Sequence, residues 1–233
     1  MEVVGVLARF LACLAGGYGL VFAAFGPQVR EGSWPRVSLI TVAGIALAAV
    51  ACGAPPAPAA ALAAAALLLE RARAFAVRGL TSPLLLAPAA LWLALGAGGF
   101  PSAPLGGVAA GGTLGTMLLG HSYLTARGLS FRPFERLAAL LLVLLAARAL
   151  LAGALVWRWW PDDRPVPVGD AVYLLARAAF GLALPLVFGF LVLACVRIRS
   201  NQSATGILYA MTPLVGGGEL IAGFLQSSAG IPA

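Results

Sequence analysis

The sequence predicts an all-α, polytopic integral membrane helical bundle. One transmembrane domain, residues 1–233, is expected to hold eight transmembrane helices with both the N- and C-terminus outside. Three observations carry that expectation. Of 233 residues, 61% are hydrophobic and 10% charged, with a mean hydropathy of +0.99; a soluble domain carries about 25% charged residues. The apolar residues fall into runs near the ~20 residues that a helix needs to cross a bilayer. The basic residues gather in alternate gaps between those runs, as the positive-inside rule requires.

Charge and cysteine usage remove several classes. The net charge of +7 comes wholly from arginine, because the chain has no lysine. A pI near 10.4 suits nucleic acid only where a soluble face carries a basic patch. Here the arginines sit in short gaps, so the expected partner is the lipid bilayer and not nucleic acid. Cys13, Cys52 and Cys195 are scattered and odd in number, which argues for small packing residues rather than a disulfide or metal framework. The first apolar run lacks a basic leader, is interrupted by Arg9 and has no small-x-small cleavage site, so it reads as a retained span.

Taken in order, span 1 is expected over Val3–Phe25, with the closely packing cluster Gly16, Gly17, Tyr18 and Gly19. Span 2 covers Val37–Cys52 and ends at Gly53-Ala54-Pro55-Pro56, because proline cannot continue the hydrogen-bond ladder. Span 3 starts near Ala57 and ends in Glu70, Arg71, Arg73 and Arg78. Span 4 runs from Ser82 to Leu95, and span 5 lies in Pro104–Arg127. Span 6 covers Leu137–Trp157, followed by an interfacial aromatic cluster and an acidic loop with Asp162, Asp163 and Asp170. Span 7 covers Ala171–Val196, with Gly181 and Pro185 as kink points. Span 8 covers Ser203–Gln226, capped by Ser200, Asn201 or Ser203.

Arginine placement orients the bundle. Gaps 1, 3, 5 and 7 hold Arg30, Arg36, Arg71, Arg73, Arg78, Arg127, Arg132, Arg136, Arg197 and Arg199. Gaps 2, 4 and 6 hold only Arg158 and Arg164. The basic gaps belong in the cytoplasm, and only an even alternation places all four there. That fixes eight spans rather than seven. The charge rhythm of spans 1–4 recurs in spans 5–8, suggesting two four-helix halves of the same orientation.

Span 5 is the expected centre. Gly107, Gly111 and Gly115 are four apart, as are Gly112, Thr116 and Gly120, so each set presents a small-residue face to a neighbour. Beside them run Thr113, Met117, His121 and Thr125, again four apart. His121 is the chain's one histidine. With Ser122, Tyr123 and Thr125 it offers donors beside an apolar wall, a set that suits a quinone. It is also a candidate axial ligand for haem or a ligand for copper, with Met117 as a soft second ligand. A paired-histidine haem site needs a second histidine, so the other ligand would be a methionine such as Met211 or come from another subunit. The plain alternative is a structural histidine bonded to a nearby carbonyl or hydroxyl.

Three charges fall inside spans: Arg148, Arg177 and Glu219. Each costs about 2.5–3.5 kcal/mol to insert, so each needs a partner or a purpose. Pairing Glu219 with one arginine leaves the other for an anionic headgroup, a carboxylate or a cofactor propionate. Span 8 adds a polar line of Thr205, Tyr209, Thr212, Gly216, Glu219, Gly223 and Gln226 at three-four spacing, hence one helix face.

No hydrolase set, Walker lysine or dinucleotide fingerprint occurs. The leading expectation is an inner-membrane subunit of a bacterial electron-transfer or respiratory assembly. It would contact a quinone or haem through His121 and Tyr123, with arginines holding anionic groups, alongside other membrane subunits. The alternative is a small carrier for an anionic or weakly acidic solute, built on Arg148, Arg177 and Glu219 near the midplane, with Gly181, Pro185 and Gly216–Gly218 as hinges. A ligand-free accessory membrane subunit is the third.

Overall fold

The computed structural model describes residues 2–25, 34–71, 81–97, 100, 102–125, 130–160 and 166–233. Among these no strand occurs. Eight helices follow one another: α1 (Glu2–Phe25), α2 (Trp34–Ala51), α3 (Pro56–Arg71), α4 (Thr81–Ala97), α5 (Ala103–Thr125), α6 (Arg132–Trp159), α7 (Val168–Arg197) and α8 (Asn201–Ala229). Each expected run is a helix, displaced by a few residues at its ends. Arg30, Arg73, Arg78, Arg127 and Arg164, which carry part of the expected sidedness, lie outside the described residues, as do Asp162 and Asp163.

Local chemistry sets the helix ends. Gly53 has φ +96, a left-handed turn that a side chain resists, and Pro56 opens α3 where its missing N–H is harmless. Gly230, at φ +66, closes α8 in the same left-handed conformation. Ser200 sits at the start of α8 but does not cap its backbone; its hydroxyl donates to Ser203 Oγ at 2.9 Å.

Two packing rings result. Helices α1–α4 close one ring and α5–α8 a second, with α1 against α5 as the main seam between them. Glycine makes that seam. A Cβ on Gly17 would overlap the Gly107 backbone, one on Gly107 would meet Cys13, and one on Gly111 would meet the Tyr18 backbone. The buried Tyr18 hydroxyl donates to Ser38 Oγ at 2.7 Å, and the buried Trp34 indole N–H donates to the Gly115 carbonyl at 3.0 Å. Each large polar tip is thus satisfied across helices, as burial demands. The second glycine face of α5 turns elsewhere: Gly112 lies against Leu141 and Leu144, Gly120 against Thr205 and Phe134.

The exterior is apolar. Leu150 is 75% exposed, Phe190 62% and Trp157 83%, a distribution suited to lipid and foreign to a soluble surface. Among the described residues five helices, α1, α2, α6, α7 and α8, are long and apolar enough to cross a membrane. Helix α3, at 16 residues, is only about 24 Å long. Helix α5 is long enough, but glycine and threonine replace the aliphatic side chains that an interior helix does not need.

Helix α7 contains a π-helical segment, Arg177–Ala183. Arg177, Gly181, Pro185, Gly189, Val192 and Val196 are buried. In a regular helix Arg177 and Gly189 would lie about 3.3 turns apart, a third of a turn out of line. One inserted residue reduces that to about 3.1 turns and brings both onto the buried face. Pro185 has no N–H to give the Gly181 carbonyl, and Arg177 Nη1 donates to it instead at 3.2 Å.

Replacing Gly17 by alanine should force the α1–α5 seam apart and destabilise the protein by about 1–3 kcal/mol, the usual overpacking range. Gly44→Ala, where a Cβ meets nothing within 4 Å, should be neutral or stabilising by up to about 1 kcal/mol. Thermal unfolding in detergent compares the two; equal effects would mean that the glycine contact does not hold the seam.

Candidate functional site

Arg148 on α6, Arg177 on α7 and Glu219 on α8 converge. Arg148 Nε donates to Glu219 Oε1 at 3.0 Å and its Nη2 to Oε2 at 3.0 Å, a two-pronged pair. Arg177 Nη2 donates to Glu219 Oε1 at 2.7 Å. Both arginines are almost wholly buried, at 2% and 1% exposure, and the carboxylate is 9% exposed. Charge-assisted bonds of this geometry are the strong ones, and this environment makes any unpaired charge expensive.

Three glycines make the room. A Cβ on Gly106 of α5 would overlap the Glu219 carboxylate. On the other side, a Cβ on Gly181 would stand 2.8 Å from the Gly218 Cα, so α7 and α8 touch backbone to backbone beside the ion pair. Ala233 closes the cluster. The left-handed Gly230 turns the chain back, and the Ala233 main-chain oxygen accepts from Arg148 Nη2 at 3.0 Å.

The partners do not use up the donors. A guanidinium has five N–H groups, and Arg148 Nη1 and Arg177 Nε are buried without a hydrogen-bond partner. The triad itself sets two guanidiniums against one side-chain carboxylate. Arg148 and Glu219 line an open-mouthed cleft between α1, α5 and α8. Arg9, Ser102 and Gln226 line it too, and Gln226 Oε1 is likewise buried and unpartnered. The Arg9 guanidinium lies 4.6 Å over the Phe100 ring, a cation–π contact. Arg9 and Phe100 escape sequence reasoning because an arginine near a chain end and a phenylalanine in a neutral gap carry no spacing signal.

The other expected residues form a separate cluster on the same two helices. Tyr209 and His121 Nδ1 are 3.0 Å apart, with the rings edge to face, and both side chains are exposed. One turn inward the Thr212 hydroxyl donates to Met117 Sδ at 3.4 Å. Tyr123 is not part of this cluster: it stacks between Phe131 and Phe134, and its hydroxyl donates to the Ser130 carbonyl. Thr125 bonds back to the Ser122 carbonyl at 3.2 Å, and Thr113 to the Ala109 carbonyl at 2.8 Å. Glu219 and Tyr209 are ten residues apart on α8, about 15 Å along its axis. Among the described residues, no group of three or more His, Cys, Asp or Glu side chains could hold a metal ion.

No protein-family model, no curated protein and no solved structure matches this chain.

The triad's charge balance predicts an order of stabilities. Glu219→Gln leaves two buried guanidiniums without a counter-charge and should destabilise by about 3–5 kcal/mol or prevent folding. Arg148→Gln and Arg177→Gln each leave a one-to-one ion pair and should be clearly milder. Thermal unfolding of the three variants tests this; a Glu219→Gln protein as stable as the arginine variants would refute the shared-carboxylate account.

Proposed function

We propose that this chain crosses a bacterial inner membrane eight times, with both termini outside, and carries an anionic or weakly acidic solute. The single observation behind the solute is the buried, unpartnered Arg148 Nη1 in a cleft whose charge balance is positive. Carriers place their sites between helices near the bilayer midplane, often where a helix is irregular. Here the π segment of α7 adjoins the triad, and the Gly181–Gly218 contact offers a smooth surface for one helix to move on the other. The five membrane-length helices and the apolar exterior support the spans. The short α3 would cross where the bilayer is thinned locally.

A second reading has its own observation. Tyr209 engages His121 Nδ1, and fixing one ring nitrogen leaves Nε2 to meet a ligand. That pair, exposed on the α5–α8 face, supports a subunit of an electron-transfer or respiratory assembly that meets a quinone carbonyl or a haem iron beside another membrane subunit. Met117 accepts from Thr212 and Met211 is buried, so a second axial ligand would come from that partner.

In proteoliposomes, labelled carboxylates from acetate to decanoate, tested beside phosphate and sulfate, should include at least one that accumulates saturably. Arg148→Gln should lower that uptake at least tenfold while the protein still elutes as a folded species. If no anion accumulates or shifts the melting temperature, the carrier reading fails. An absorption spectrum and quinone extraction of the purified protein address the second reading: pigment or quinone lost in His121→Ala supports it, and absence of both from the wild type defeats it.

A further inference from the structure

We infer that the cleft's ligand is a single-chain monocarboxylate, an anionic head on an apolar tail, with the head at Arg148. The inference rests on the anion reading above and names its ligand class.

Charge decides the head. Arg9 and Arg148 against Glu219 leave the cleft lining one positive charge over, so one negative charge balances it. A phosphate monoester would bring nearly two and leave the surplus of the opposite sign in a desolvated place. The idle polar atoms agree. Arg148 Nη1 is a donor without an acceptor, and Gln226 Oε1 in the same cleft is an acceptor without a donor. Turning the Gln226 amide by half a turn presents its NH₂ group. One carboxylate then accepts from both residues, and the buried Ser102, which also lines the cleft, is a third donor.

The walls decide the tail. Val6, Phe10, Phe100 and Ala222 line the cleft alongside the polar group. A bare small anion leaves those side chains uncovered, whereas a methylene chain covers them at about 0.8 kcal/mol per CH₂. Depth argues against a phospholipid. Arg148 lies eleven residues inside the Trp159 end of α6, about 16 Å, below the interface that the tryptophans there would mark. A diacyl headgroup would have to leave that interface to reach it, while a free single-chain acid slides in head first.

Binding of radiolabelled decanoate to the protein in phosphatidylcholine nanodiscs tests the assignment. Decanoate should displace the label at least tenfold better than acetate and than decanol, which has the tail without the charge. Arg148→Gln and Gln226→Leu should each weaken it about tenfold. Gln226→Leu keeps the triad intact and reports even where Arg148→Gln fails to fold. If acetate binds as well as decanoate and both depend on Arg148, the anion site stands and the tail assignment falls. If decanol matches decanoate and neither variant matters, the label only partitions into apolar surface and the anion site falls too. Displacement by added phosphatidylglycerol would make the ligand a lipid headgroup and overturn the single-chain assignment.

Discussion

One carboxylate, Glu219, is shared by two guanidiniums that reach it from different helices. Everything near it is arranged around that fact. Because hydrocarbon cannot solvate a charge, α6, α7 and α8 have to meet at this level, and α5 has to arrive there without a side chain, at Gly106. The positions of four helices are therefore tied to one functional group. Apolar packing alone would leave them freer, since lipid tails and leucine side chains are nearly equivalent surroundings.

The two ends of the α5–α8 pair differ in kind. At the Glu219 end the polar groups are buried, charged and only partly satisfied. At the Tyr209 end they are exposed and paired with each other. Between them Thr212 and Met117 make a weak sulfur contact, so the polar line along α8 is no continuous conduit. A partly satisfied buried cluster holds interaction free energy that a ligand can release. An exposed His–Tyr pair suits an encounter with something outside this chain.

Much of this was legible in the sequence. Apolar runs bounded by proline, glycine and arginine placed all eight helices, because element existence needs only a run and a stop. Arg148, Arg177 and Glu219 could be grouped because charges in lipid have few places to go. Other features could not be read. The π segment arises where Pro185, the Gly181 carbonyl and the register of Arg177 act together, while each residue alone looks like an ordinary kink. Periodicity put His121 on a stripe with Thr113 and Met117, yet it cannot say what covers a stripe; here Thr113 is buried and His121 is open. Tyr123, two residues on, points away from His121, since neighbours at that spacing do not share a helix face.

Arg177 holds its own helix at the Gly181 carbonyl and α8 at Glu219. Its charge is thus fastened to both sides of a glycine-to-glycine contact that would otherwise slip without resistance. Sliding α7 along α8 by one residue, about 1.5 Å, means breaking that salt link. The same arginine that shares Glu219 with Arg148 thus also holds the register of the two helices it joins.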